Sequence, residues 1–406
     1  MNAALNPTPK PTPRLGDRGL FSQLRAVAYL NHAAISPAAD PVLAAAQRAL
    51  SDLAQHGSAE FAARLSERQR LRADLARLLN AQADEVALVP STMYGLAALS
   101  TSIPWRAGSR VIAFGGEYPT NVSVWQRACE RFGLTLTLLP VDDFARPDGA
   151  DLSALERELK RGDVQLCAVS AVQFQTGLRM PIAEISALCH AHGAELAVDA
   201  VQALGSVPFD VAALGVDYAA AGSHKWLLGI DGAGVLYVAR DRLAALRPGF
   251  AGALSHVDGE RIFGQSGQLR YDRQLRPDAR VFEGGMLSSV SCSALGASVP
   301  LLLELGPPAI YRHINGYLDG LEAGMLARGF RSLRAPDAAR RSCTLGMLPP
   351  AAHDPQAAAL FASELTARGV VCSAPDGVLR FTPHFANSLS ELPHVLAAVD
   401  EALRAG

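Results

Sequence analysis

The stretch from Val164 to Val198 decides the fold: Val164-Gln-Leu-Cys-Ala-Val-Ser-Ala171, then Ile182-Ala-Glu-Ile-Ser-Ala-Leu-Cys-His-Ala-His192, then Ala194-Glu-Leu-Ala-Val198. The first and third pieces are short apolar runs. The middle piece places Ile182, Ile185 and Cys189 at helical spacing. This reads as strand, helix, strand. Strands that are apolar almost throughout are buried on both faces, as in a parallel sheet covered by helices.

The same alternation extends outward. Ala38–Leu53 and Ala62–Leu79 read as helices, and Glu85–Val89 as a strand followed by a helix through Ser100. Arg110–Phe114 and Leu134–Leu139 read as strands around a helix near Asn121–Phe132. Leu152–Lys160 is another helix, and Asp217–Ala221 and Gly234–Val238 are two more strands. The expected class is α/β, with a mostly parallel sheet flanked by helices. Such sheets bind ligands beyond the carboxyl ends of their strands. From about Ser293 the texture becomes helix-rich, with strands near Cys343–Leu348 and Gly377–Thr382. A smaller α+β domain is expected there. The predicted organisation is a flexible arm over residues 1–16, a large domain over 38–292, and a small domain from 17–37 with 293–406.

Composition narrows the function. The chain has 406 residues, 49% of them hydrophobic, and a formal net charge of −2. It lacks the basic footprint of a nucleic-acid binder. The six cysteines are scattered with no close pair, so a disulfide or zinc framework is not expected and reduced thiols are. Residues Met1–Gly16 are rich in Pro and lack an apolar core, so no secretory signal is expected. No apolar run is long enough to span a bilayer. The expectation is a cytoplasmic protein that handles small molecules, with no nucleic-acid or membrane partner.

Two segments carry chemistry: Val198-Asp-Ala-Val-Gln202 and Gly222-Ser-His-Lys-Trp226. The interval between them suffices for one helical crossover and the next strand. Asp199 and Lys225 would then face the same edge of the sheet. An acid that protonates a pyridine nitrogen, beside a lysine that forms an imine, is what pyridoxal phosphate requires. On spacing alone, a surface Asp and a surface Lys fit equally well.

Four ordered segments together resemble the class V aminotransferases, fold-type I pyridoxal-phosphate enzymes that include cysteine desulfurases and isopenicillin-N-epimerase-like proteins. They are Tyr29-Leu-Asn-His-Ala-Ala34, Val198–Gln202, Ser223-His-Lys-Trp226, and Arg380-Phe-Thr-Pro-His384 with Asn387. The resemblance implies that Lys225 carries the cofactor as a Schiff base and moves protons at Cα. Asp199 would hold the ring nitrogen, and Gln202 the ring oxygen. Ser91, Thr92 and Met93, at a strand-to-helix turn, would bind the phosphate with Ser223 and His224. Tyr118 would stack on the ring, and Gln173 would contact the ring oxygen or the substrate. Arg380 would take the substrate carboxylate, with Asn31 and His32 close by. The Phe282–Ser289 loop, through Ser288 or its backbone, would reach the phosphate of a second subunit in a homodimer.

Other features carry less. Cys189-His190-Ala191-His192 places its side chains in different directions on a helix, so no metal site is expected. Gly229–Gly234 follows the lysine segment rather than a first strand, so it is no dinucleotide fingerprint. Cys372 lies in an apolar run close to Arg380 and reads as a buried strand residue, which disfavours a cysteine desulfurase. The leading expectation is an aminotransferase-like enzyme of the isopenicillin-N-epimerase type acting at Cα of an amino acid. The alternatives are a β-eliminating carbon–sulfur lyase, an amino-acid epimerase and a catalytically silent cofactor binder.

Overall fold

The computed structural model describes residues 12–146, 149–350 and 355–405. The strands are β1 (Ala28–Tyr29), β2 (Val86–Val89), β3 (Arg110–Phe114), β4 (Thr135–Leu139), β5 (Val164–Ser170), β6 (Glu195–Asp199), β7 (Tyr218–Gly222), β8 (Gly234–Val238), β9 (Arg331–Ser332), β10 (Leu345–Leu348), β11 (Val370–Val371) and β12 (Leu379–Phe381). The helices that matter below are α1 (Asp40–His56), α2 (Phe61–Leu79), α3 (Thr92–Ser100), α4 (Thr120–Phe132), α5 (Ser153–Leu159), α6 (Ile182–Ala191), α7 (Arg240–Leu243), α8 (Ser289–Leu305) and α9 (Pro307–Leu326).

A seven-stranded sheet runs in the order β2-β8-β7-β6-β5-β3-β4. Neighbours from β7 to β4 are parallel, and β8 pairs antiparallel with both β2 and β7. The predominantly apolar strands have the burial their composition demands: β2, β3, β7 and β8 are buried at every position. Burying a strand on both faces removes its apolar side chains from water on two sides, at roughly 25 cal/mol per Å2. That gain selects the layered α/β arrangement over an exposed sheet. Chain order reverses between β3 and β5, which opens the crevice where such sheets bind ligands.

The C-terminal part holds a smaller antiparallel sheet, β12-β10-β9. β1 pairs in parallel with β11, tying the start of the described chain to its end. Gly16 belongs to the same tie, since its N–H donates to the Phe385 carbonyl at 2.7 Å. Residues 1–11 of the expected arm lie outside the described residues. α8 packs chiefly against α1 and α2. It crosses the boundary expected at residue 293 and ends at Gly306, where the chain turns by 80° into α9. No single helix among the described residues is long and apolar enough to cross a membrane. The apolar residues of α8 and α9, such as Leu295, Val299, Ile314 and Leu318, are buried within the protein.

One expected element is different. The link between β6 and β7 was expected to hold a helix, and residues 200–217 instead form successive turns. Gly205 and Gly215 adopt positive φ there, and Pro208 lies between them, so a continuous helix is barred. The turns hold the chain against the lysine loop: a Cβ on Gly205 would lie 2.2 Å from the Trp226 carbonyl oxygen.

Candidate active site

The loops after β2, β3, β5, β6 and β7 meet at one edge of the large sheet, and each supplies a polar or aromatic side chain. Lys225 follows β7. Its ammonium is 5.7 Å from the centre of the Tyr118 ring, which follows β3. Tyr118 is half-exposed and meets the Phe174 ring edge-on at 5.5 Å. The Phe174 carbonyl accepts a hydrogen bond from Arg380 Nη1 at 2.6 Å. Asp199, at the end of β6, is buried beneath them.

Electrostatics follow from this burial. Desolvation raises the Asp199 carboxyl to about 7, with Glu117 adding to the rise, while the Val201 N–H and Lys225 act against it. Burial lowers Lys225 to about 8, helped by the nearby Arg380 and resisted by Asp199. Arg380 is itself lowered to about 10 by burial. Its guanidinium holds the Ser373 hydroxyl at 3.2 Å and the Phe174 carbonyl, and no carboxylate among the described residues pairs with it. A buried guanidinium is ordinarily matched by an anion. Asp199 is similarly unfinished. One oxygen accepts the Val201 N–H at 2.9 Å, and the other has no partner among the described residues.

The start of α3 lies at the same edge. Ser91 caps it by accepting the Tyr94 N–H at 3.1 Å, and Thr92 Oγ1 accepts the Gly222 N–H at 2.8 Å. This stitches the helix start to the end of β7. The first-turn N–H groups of Thr92 and Met93 have no intrahelical acceptor and are suited to a phosphate. His224 adds a half-buried imidazole, with its pKa lowered by burial and by Lys225. The donors fit pyridoxal phosphate: anion donors at one end, an acid with a vacant oxygen at the other, and a depressed lysine beside an aromatic face.

Several predicted residues are committed elsewhere. Ser223 is fully buried; its hydroxyl donates to the Ile230 carbonyl and its N–H to the Ala233 carbonyl, so neither donor is available to a phosphate. Gln202 accepts the Trp226 indole N–H at 2.8 Å and donates to the Ala33 carbonyl at 3.1 Å, which leaves one amide hydrogen for a ring oxygen. His32 is buried, with Nδ1 on the Thr382 carbonyl and its ring packed 5.2 Å from that of His384. It lies within the packing, and burial lowers its pKa to about 4. Asn31 keeps a buried side-chain oxygen with no partner. Ser288 caps α8 by accepting the Ser291 N–H at 3.1 Å. Gln173 is buried and donates to Glu117 at 3.3 Å. Among the described residues no group of ligating side chains could hold a metal, and His190 instead meets Asp217 at 2.8 Å.

Sequence reading passed over Glu117. It is buried and accepts from the Ser170 N–H at 2.8 Å, the Ser170 hydroxyl, Asn121 at 3.1 Å and Gln173. Its only sequence signal is an acid placed just after two glycines at a strand end. It also passed over Ser36, whose hydroxyl donates to the Lys225 carbonyl at 2.6 Å and whose N–H donates to that of His224. This straps the N-terminal segment across the lysine loop.

Fold and donor set define a fold-type I pyridoxal-phosphate enzyme. Residues 28–380 match the family model "Aminotransferase class-V", and the chain belongs to that family. It is 28% identical over 384 residues to the "Uncharacterized aminotransferase YcbU" of Bacillus subtilis, covering 95% of this chain and 96% of that one. It is 33% identical over 254 residues to a "Probable cysteine desulfurase" of Chlamydia muridarum, covering 61% of this chain and 58% of that one. In fold it is similar to a lysine-to-alanine mutant of C-DES with glycine covalently linked to its pyridoxal phosphate, with a TM-score of 0.85 at 23% identity over 96% of this chain and 99% of that one. It is also similar to the cysteine desulfurase CsdA of Escherichia coli, with a TM-score of 0.80 at 22% identity over 96% of this chain and 98% of that one.

Proposed function

We propose that the chain removes the Cα proton of an amino acid and carries out an aminotransferase-like reaction. The observation that carries this reading is Arg380: a buried guanidinium with no carboxylate partner among the described residues, placed near a lysine of depressed pKa. Arg380 takes the substrate α-carboxylate through its planar fork. Lys225, part-neutral near pH 8, would hold the cofactor through its amine and, with that amine free, would accept the Cα proton of the substrate and return it. Asp199 would hold a proton at the ring nitrogen, and Tyr118 would lie against the ring. Thr92, Met93 and His224 hold the phosphate. Pyridoxal phosphate, when bound, supplies the electron sink for the charge left at Cα.

A second reading is β-elimination of a carbon–sulfur bond. Several relatives are named cysteine desulfurases, as at 33% identity in the Chlamydia muridarum protein. A desulfurase needs an accessible thiolate to receive sulfur. All six cysteines here are buried, and burial pushes Cys372 up to about 12. Carbon–sulfur cleavage on this chain would therefore end as elimination, with no sulfur held on the protein.

The proposal includes a division of the chain into a large unit from residue 38 that keeps α8 whole, and a small unit of residues 17–37 with those after Gly306. It also includes a homodimer in which the Phe282–Ser289 loop completes the neighbouring phosphate site. The deciding experiment is incubation of the holoenzyme with amino acids and S-conjugated cysteines. A 2-oxo acid with pyridoxamine phosphate is the expected outcome. Pyruvate with ammonia and a thiol marks the second reading, and no product from any of them defeats both.

A further inference from the structure

A cavity of about 340 Å3 is lined by the segments that follow β5 and β6. Asp199, Lys225, Tyr118 and Arg380 do not line it. Its walls include Ile182, Val207 and Phe209, and two arginines face it, Arg179 and Arg340. Arg340 is 7% exposed, yet its Nε, Nη1 and Nη2 all lack a hydrogen-bond partner.

The other buried arginines set the comparison. Arg64, Arg72, Arg110 and Arg334 each pair with a carboxylate. Arg68 and Arg380 hold backbone carbonyls. Among the buried arginines described, Arg340 alone holds nothing. Its backbone is fixed, since its carbonyl accepts the Arg179 N–H at 2.9 Å. The Arg179 guanidinium rests 5.9 Å from the centre of the Tyr311 ring. Glu184 and Asp337 also line the cavity, both exposed, and neither pairs with Arg340. Asp337 is used in a turn, where it accepts the Ala339 N–H at 2.9 Å. Burial works against the charge on Arg340, and these two acids only partly offset it.

A guanidinium held in this state is prepared for an anion that brings its own oxygens. The planar fork suits a carboxylate bound by two parallel hydrogen bonds, and the apolar walls suit a hydrocarbon body. We propose that Arg340 anchors a second binding site, separate from the catalytic one, for a small organic carboxylate with an apolar body.

The test is calorimetric titration of the holoenzyme with 4-methylpentanoate, acetate and inorganic phosphate. It is done on an Arg380→Ala background so that the catalytic arginine does not contribute. The expected result is one equivalent of 4-methylpentanoate per chain, with acetate at least about tenfold weaker because it lacks the apolar body. Adding Arg340→Met should weaken binding at least about tenfold, since the charged fork is lost. Arg340→Lys, which keeps the charge without the fork, should also weaken it and gives the same comparison if the Met variant does not fold. Unchanged affinity in these variants, phosphate binding more tightly than the carboxylates, or no saturable binding would each overturn the proposal.

Discussion

Asp199 has one oxygen committed to Val201 and one vacant, so its charge depends on what lies against the vacant oxygen. Its pKa of about 7 in the protein stands above the ordinary carboxyl value, so burial favours the neutral acid. The resulting penalty is absent below about pH 4, where the acid is neutral folded and unfolded, and is fully present above about pH 7. Asp199→Asn should therefore stabilise the apoenzyme at pH 8, by an amount on the order of a few kcal/mol. The gain should fade as pH falls toward 4, which thermal melts across pH would read. In the holoenzyme the same change should slow exchange of the Cα hydrogen with deuterium by at least about a hundredfold. Arg380→Ala should raise KM for amino acids roughly ten- to hundredfold, the loss of a charge-assisted contact worth about 1.5–3 kcal/mol. Cofactor absorbance should be unaltered, and equal activity of the unmutated enzyme on an amino acid and its decarboxylated amine would refute the role. Asp199 and Lys225 were read from the ends of apolar strands and Arg380 from within one, each inside a recognisable segment. The partners that Ser223, Gln202 and His32 hold, Ile230, Ala33 and Thr382, were not legible, because they are backbone groups supplied by the fold. A backbone carbonyl has no residue identity, so no sequence pattern announces it.

Elements were easier to read than their environments, because periodicity is set by which face is buried. The strands of the large sheet and α1 to α6 lie within a residue or three of their expected bounds, while the turns of residues 200–217 do not follow from periodicity. They are held by a close backbone approach that only glycine permits. This gives a sharp contrast between two positions. Gly205 has φ +107° and its Cβ would strike the Trp226 carbonyl; Gly133, after α4, has φ +68° and ψ +38° with open space around it. Gly133→Ala should cost about 1 kcal/mol, the strain of a left-handed conformation alone. Gly205→Ala should cost at least about 2 kcal/mol and displace the lysine loop. Paired melts, with the yield of borohydride-fixed label on Lys225, would separate the two effects. Equal melting temperatures and equal labelling would show that the turns do not position the lysine.

At the scale of the whole molecule, one segment stands largely outside the packing. Between residues 250 and 286, Phe263, Leu269, Tyr271 and Met286 are 58%, 74%, 92% and 66% exposed. Single exposed apolar residues are ordinary, whereas a run of large ones within one segment marks an interaction surface. The same segment leads into the Gly284-Gly285 pair and Ser288, the loop expected to reach a neighbouring phosphate. A phosphate dianion calls for several donors, and with Ser223 committed to Ile230 and Ala233 this chain supplies fewer than its sequence promised. A second subunit would meet both needs by covering the apolar segment and completing the cradle. The enzyme should therefore sediment as a homodimer, with cofactor occupancy falling as dilution drives it apart. Leu269→Asp with Tyr271→Asp should shift it toward monomer, since an interface of ordinary size depends on a few large apolar anchors. The same double variant should lose pyridoxal phosphate on gel filtration, although both side chains lie on a segment that supplies no proposed contact to the subunit's own cofactor. A monomer holding pyridoxal phosphate at full occupancy would refute the shared site, and a variant that remained dimeric would move the interface elsewhere.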